Sequence, residues 1–375
     1  MERGFLHGLR LINFRSAKDL TVEINSRFTL LLGANGVGKS SLLDAAHLLS
    51  KQLGFPRPDT FFFDWDALHR SVSNGATSVR IAATGAERSL WLHSVLDEEG
   101  HRQQSDVCAG TRYVLGQPPI EWQTRKVCSR GSTGEDWKEL RSQLDELSAI
   151  RSCARLRLSA RAAATPSYPT AEVPRVEFDG AGLASALAWV ATNDDQAKRD
   201  IESLLREVVP TFQRFRVPNA SLRIPSIDGG GTVVWGHRLE LEFEGLGFVP
   251  ADLVSEGTIL ALALLTMLRS DQRPKLVLLD DLDKALHPRA QVEVARRMRH
   301  LLSLDPQLQI IATAHSPFIL DDFEGSDVVL LAADAANGTR SRLLSEHPDF
   351  VRFKESLRPG EFWSTVGEQW VLGVP

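Results

Sequence analysis

The stretch Gly33-Ala34-Asn35-Gly36-Val37-Gly38-Lys39-Ser40 spells G-x-x-x-x-G-K-S, and no other part of the chain constrains its fold as tightly. An apolar run (Phe28, Leu30, Leu31, Leu32) precedes it, and a helical pattern (Leu42, Leu43, Ala46, Leu49) follows. Strand, glycine loop and helix in that order make a phosphate cradle, because glycines let the backbone wrap an anion without Cβ clashes. Successive N–H groups and the helix N-terminus then point at the phosphates. Lys39 is placed to reach the β- and γ-phosphates, and the Ser40 hydroxyl to ligate Mg²⁺. The competing reading is a glycine-rich turn that matches by chance, and both flanks argue against it.

Composition narrows the rest. With 43% hydrophobic and 24% charged residues, the 375-residue chain reads as a globular protein of one large or two ordinary domains. A net charge of −5 excludes a globally basic nucleic-acid binder, so any such surface has to be local. Cys108, Cys128 and Cys153 are scattered, which disfavours a disulfide framework or a cysteine-rich zinc site. The longest apolar run, Ile259 to Leu268, is too short to span a bilayer. The N-terminus lacks a signal pattern, and a cytoplasmic location without membrane contact is expected.

Short strands are predicted around Leu9–Phe14 and Leu20–Ile24, then Phe28–Leu32 as a buried strand feeding the loop. The helix after Lys39 ends near Gly54, before the Pro56-Arg57-Pro58 break. Residues 60–125 read as β, with strands at Val79–Ala83, Leu90–Leu96, Tyr113–Leu115 and Ile120–Trp122. Residues 135–162 read as helical, with Leu140, Leu144 and Leu147 on one face. The arginines that follow (Arg151, Arg155, Arg157, Arg161) read as a solvated helix face in preference to a phosphate contact. Helices are predicted at Leu183–Val190 and Ala197–Val209, and strands at Phe212–Val217 and Leu239–Phe243 around a Gly229-Gly230-Gly231 turn.

A second dense region follows. Val254-Ser255-Glu256-Gly257-Thr258 opens a strongly apolar helix, and Leu276-Val277-Leu278-Leu279 runs into Asp280-Asp281. Paired carboxylates at the end of such a strand suit a Mg²⁺-nucleotide site, one holding the metal and its neighbour polarising the attacking water. Gln309-Ile310-Ile311-Ala312-Thr313 ends at Ala314-His315-Ser316-Pro317, where a histidine can hydrogen-bond a γ-phosphate. Alone, His315 reads as structural and the aspartates as a turn; their order along the chain makes coincidence improbable.

At this point the chain resembles an ATPase of the ABC superfamily, in the branch shared by RecF, SMC-type proteins and the AAA family ATPases of bacterial defence systems. The matching residues are Leu11-Ile12-Asn13-Phe14-Arg15-Ser16, Gly33 to Ser40, Val254 to Thr258, Leu276 to Pro288 and Thr313 to Pro317. The resemblance implies a Walker A loop over Gly33–Ser41, in which Asn35, Gly36, Gly38, Lys39, Ser40 and Ser41 bind ATP. It implies a metal site of Ser40 and Asp280, with Lys39, Asp281 and the switch histidine His315 as catalytic groups. Ser255 and Gly257 fall at the ABC signature, which in that family caps the γ-phosphate held by a second copy. A homodimer with composite ATP sites is therefore expected. Asp281 stands where the family usually carries glutamate; a catalytic group displaced by about 1 Å can lose on the order of 10²-fold in rate, so turnover is expected to be slow. The family's Q-loop glutamine has no clear counterpart, Gln103 and Gln104 being candidates by position alone.

The expected architecture is a two-lobed α/β P-loop NTPase, an ABC-type ATPase head with an antiparallel β layer and an inserted helical lobe. Residues 1–53 and 211–375 would form the core, 54–134 the β layer and 135–210 the helical insertion. The expected role is the ATP-driven sensor or motor of an anti-phage defence system. Only 60 residues follow His315, too few for the TOPRIM nuclease of OLD-type relatives, so a separate nuclease or toxin partner is expected. The alternatives are a RecF-like DNA repair clamp, using Arg151–Arg161 or Arg296-Arg297-Arg299 on nucleic acid, and a nucleotide-gated scaffold with marginal hydrolysis. The aromatic C-terminal segment (Phe362, Trp363, Trp370) reads as packing on the core ahead of offering partner anchors.

Overall fold

The computed structural model describes residues 4–53, 78–84, 88–96, 102–111, 126–128, 148–225, 231–270, 273–353 and 356–373. The chain divides into two compact units. The first holds Met1–Arg155, Pro274–Asp280 and Asp305–Pro375, and the second Leu156–Arg273 and Asp281–Leu304. The predicted strands at Tyr113–Leu115 and Ile120–Trp122 and the Leu140–Leu147 helix face lie outside the described residues.

The opening strands are β1 (Gly8–Phe14), β2 (Ala17–Glu23) and β3 (Phe28–Leu32), and helix α1 (Lys39–Leu53) follows. Next come β4 (Ser78–Thr84), β5 (Arg88–Leu96), β6 (Arg102–Thr111) and β7 (Lys126–Cys128). A short helix α2 (Ser148–Arg151) leads to β8 (Cys153–Leu156), where the chain passes into the second unit. There the helices are α3 (Ala160–Ala164), α4 (Leu183–Asn193) and α5 (Asp195–Val208). Strands β9 (Phe212–Arg216), β10 (Asn219–Pro225), β11 (Gly231–His237), β12 (Glu240–Phe243) and β13 (Gly247–Pro250) precede helix α6 (Glu256–Arg269). The chain returns to the first unit for β14 (Leu276–Leu279), leaves it for helix α7 (Pro288–Leu304), and returns again for β15 (Gln309–Ala314). Strands β16 (Val328–Asp334) and β17 (Gly338–Leu343) and helices α8 (Phe350–Phe353) and α9 (Pro359–Val366) complete it.

Among the described residues, one twelve-stranded sheet runs β7-β6-β5-β4-β1-β2-β17-β16-β3-β15-β14-β8. Its centre is parallel. β3 pairs with β15 on one side and β16 on the other, and β14 pairs with β15. All five residues of β3 and all four of β14 are buried, as the predominantly apolar strands of a parallel sheet should be. Around β1 and β2 the pairing turns antiparallel, and the predicted strands 79–83 and 90–96 appear there as β4 and β5. Register aligns Leu32 with Ala314 and Leu279 with Ala312, so the glycine loop, His315 and Asp280 all leave the carboxyl ends of neighbouring strands. In open α/β sheets that edge is where ligands bind.

In the second unit, α6 packs against α5 and α7, and its buried face includes Ile259, Leu262, Leu265 and Leu268. Side chains of this kind stabilise by about 1.5–3 kcal/mol each on full burial, which is why so short an apolar run makes a core helix. Between the two strands predicted at 212–217 and 239–243 the structure adds a hairpin, β10 paired with β11. In its second strand Val233, Val234 and Trp235 are consecutive, so no period-2 alternation marks it.

The C-terminal aromatics pack on the first unit, as the reading favoured. Phe362 and Trp363 are buried, and Phe362 sits edge-on to His347 and Phe350 at 5.0 and 5.4 Å between centroids. A Cβ on Gly360 would lie 2.3 Å from the Pro317 carbonyl, so this segment is seated tightly against the turn that follows His315.

Candidate functional site

The loop after β3 shows why each glycine stands where it does. Gly33 has φ 156°, and a Cβ there would lie 2.3 Å from the Leu331 carbonyl of neighbouring β16. Gly38, at φ 102°, lies against the Ser16 and Thr339 hydroxyls, each 2.9 Å from where a Cβ would stand. Larger residues would push the loop off the sheet. Val37 anchors it from inside at 3% exposure, while Asn35, Gly36 and Ser40 face outward.

Lys39 begins α1 and is buried, its Nζ donating to the Gly33 and Ala34 carbonyls at 2.6 and 2.9 Å. The same Nζ lies 3.3 Å from His315 Nδ1. One residue on, Ser40 Oγ donates to Asp280 Oδ1 at 3.0 Å, and Thr313 Oγ1 donates to the same oxygen at 2.9 Å. The ends of β14 and β15 and the start of α1 thus converge on one buried carboxylate. The structure brings together Lys39, Ser40, Asp280 and His315 within the first unit.

The donor set fits Mg²⁺ and a triphosphate. A hydroxyl and a carboxylate oxygen side by side are the hard oxygen donors that Mg²⁺ takes, and it usually completes its octahedron with water and substrate phosphates. No cluster of three or more His, Cys, Asp or Glu suited to a metal exists among the described residues. Helix α1 has no acid in its first turn, so nothing there repels an anion.

Asp281 follows with φ 55°, a left-handed conformation that aspartate tolerates better than longer side chains. In the second unit, Ser255 is exposed and caps α6, accepting from the Thr258 N–H at 3.4 Å. Gly257 is buried, and a Cβ there would meet the Ala285 carbonyl at 2.8 Å. Close packing therefore requires this glycine on structural grounds, separately from any contact with a nucleotide.

Sequence reasoning missed Arg155. It lies on β8, a strand and not a helix face, and its guanidinium reaches both Asp44 and Asp280. The reading of the arginine cluster as a solvated helix face is corrected for this residue, since the strand carries it to two carboxylates that hold it. β8 flanks β14, whereas Gln103 and Gln104 lie on β6 near the opposite end of the sheet. Asp44, four residues after Ser40 and on the same face of α1, was a signal available in the sequence.

Similarity to known proteins follows this geometry. A family model described as "AAA domain, putative AbiEii toxin, Type IV TA system" matches residues 144–321, and one described as "AAA domain" matches 9–151. A crystal structure of the SMC head bound to the C-winged helix domain of ScpA superposes with a TM-score of 0.55 at 14% identity, covering 91% of this chain and 98% of that one. The fold is that of an SMC head domain. Septu protein PtuA of Bacillus mycoides (strain KBAB4) is 20% identical over 348 residues, 88% of this chain and 41% of that protein. The DNA replication and repair protein RecF of Clostridioides difficile (strain 630) is 42% identical over 45 residues, 12% of each chain. The chain thus spans less than half the length of either curated relative. No helix among the described residues is long and apolar enough to cross a membrane.

Proposed function

We propose that this ATPase head is a nucleotide-gated switch that closes as a homodimer around ATP and serves a prokaryotic anti-phage defence system with a separate nuclease or toxin. The observation that carries the reading is the convergence of Ser40 and Thr313 on Asp280 Oδ1, with Lys39 beside His315. Similarity to Septu protein PtuA supports the defence role.

Asn35, Gly36, Gly38 and Ser41 line the phosphate loop, and Lys39 holds the β- and γ-phosphates. Ser40 and Asp280 would hold Mg²⁺, which when bound supplies charge neutralisation at the bridging phosphate oxygens. Asp281 orients the attacking water and accepts its proton, and His315 hydrogen-bonds the γ-phosphate. Ser255 and Gly257 of a second copy would complete the site, the exposed start of α6 facing the anion. Phe318 and Leu253, 54% and 74% exposed, sit beside His315 and Ser255, where a dimer contact would bury them. Arg296 and Arg297, offered above to nucleic acid, are ion-paired with Glu293 and Glu207, which disfavours the DNA-clamp alternative through them.

Lys39→Ala is expected to lose ATP binding, whereas Asp281→Asn should bind ATP and turn over at least about 10²-fold more slowly. With ATP and Mg²⁺, the Asp281→Asn protein should double its mass in light scattering. An unchanged mass at saturating nucleotide would sink the dimer, and unchanged turnover in Asp281→Asn would remove that residue from the mechanism.

A further inference from the structure

Arg155 belongs to a charge cluster that the ATPase reading leaves unexplained. Its Nη2 donates to Asp280 Oδ2 at 3.1 Å, and its Nη1 makes a close ion pair with Asp44 Oδ1. Asp44 also pairs with Arg15 through its other oxygen. The Asp280 side chain is only 4% exposed, and those of Arg155 and Asp44 are 21% and 22% exposed. The four side chains sum to zero formal charge before any metal arrives. Asp280 is also fully engaged, its Oδ1 by two hydroxyls and its Oδ2 by the guanidinium.

We propose that Arg155 is a charge gate on the metal site: it masks Asp280 from divalent cations until a nucleotide is bound. This rests on reading Asp280 as the metal carboxylate. A dication approaching Asp280 meets a guanidinium already on that carboxylate, in a partly desolvated setting where repulsion is weakly screened. The phosphates of a nucleotide add the negative charge that restores a net attraction, so metal and nucleotide load together. Arginine suits the task because its planar fork can hold two carboxylates at once, which an ammonium does less well. Arg155 is in this sense a positioning residue, acting through Asp280. The rival account is a clamp that ties α1 to β14 and has no influence on the metal.

The two differ in metal binding by the nucleotide-free protein. Mn²⁺, followed by its electron paramagnetic resonance signal, is titrated into the full chain and its variants without ATP. Arg155→Gln removes the positive charge and opens Oδ2, so Mn²⁺ affinity should rise by about tenfold or more. Arg155→Lys keeps the charge and should stay near the parent value, whatever its melting temperature. Affinity in Arg155→Gln equal to that of the parent would overturn the gate. Should that variant fail to fold, Asp44→Asn gives the opposite test: it leaves the cluster one charge more positive and should weaken Mn²⁺ binding in the presence of ATP by about tenfold. No change there overturns the gate equally. Asp280→Asn separates the two ideas, since undiminished Mn²⁺·ATP binding in that variant defeats the reading of Asp280 as the metal carboxylate.

Discussion

Two residues before Arg155, Cys153 packs against the core of the first unit, and burial pushes its thiol up to about 12, against a smaller lowering from its hydrogen bond with Ser50. Only the thiolate reacts with alkylating agents, so a thiol held this high stays inert at neutral pH. Iodoacetamide at pH 8 should leave Cys153 unmodified in the native protein and label it after denaturation, as peptide mass mapping would read. Labelling at the rate of a free thiol would contradict the packing. The same strand shows what sequence reasoning can reach. Lys39 and Ser40 were legible because the glycine spacing fixes them to the helix start that follows the loop, and Asp280 because an apolar run delivers it. Arg155 was not, because its partner Asp280 lies 125 positions away and nothing local announces the pairing.

Among the elements, α6 carries the clearest division between structure and function. Ser255 caps it, and removing a cap of this kind costs about 1 kcal/mol. Ser255→Ala should therefore lower the melting temperature only slightly. If the start of this helix meets the nucleotide of a second copy, the same change should abolish ATP-driven mass doubling, and a dimer that persists at parental strength would confine Ser255 to capping. The helix itself was legible because eleven of its fourteen residues are buried, leaving an almost continuous apolar run. Strand β8 was not, because four residues ending in Arg155-Leu156 have no period long enough to tell strand from helix. The β10–β11 hairpin was missed for a related reason: apolar Val233 and Trp235 face solvent on either side of Val234, so the apolar/polar alternation of a half-buried strand is missing.

At the scale of the whole molecule, the C-terminal segment belongs to the first unit. Phe362, Trp363 and Val371 are buried there, and Trp370 lies beneath the Arg342 guanidinium at 4.9 Å. At about 1.5–3 kcal/mol per buried side chain, deleting 359–375 should remove on the order of 5 kcal/mol, much of a typical folding stability. Such a truncation should melt far below the parent or be insoluble, and melting at the parental temperature would show that the segment is dispensable. The order of synthesis adds a consequence. β3, the strand that feeds the phosphate loop, finds both of its sheet partners only at Ile310–Ala314 and Val328–Leu330. A ribosome adding about 5–20 residues per second needs on the order of half a minute to make the intervening chain. Until then a strand that is apolar but for Thr29 has emerged with both edges unpaired, so the newborn chain is exposed to aggregation for longest at the very strand that feeds its phosphate loop.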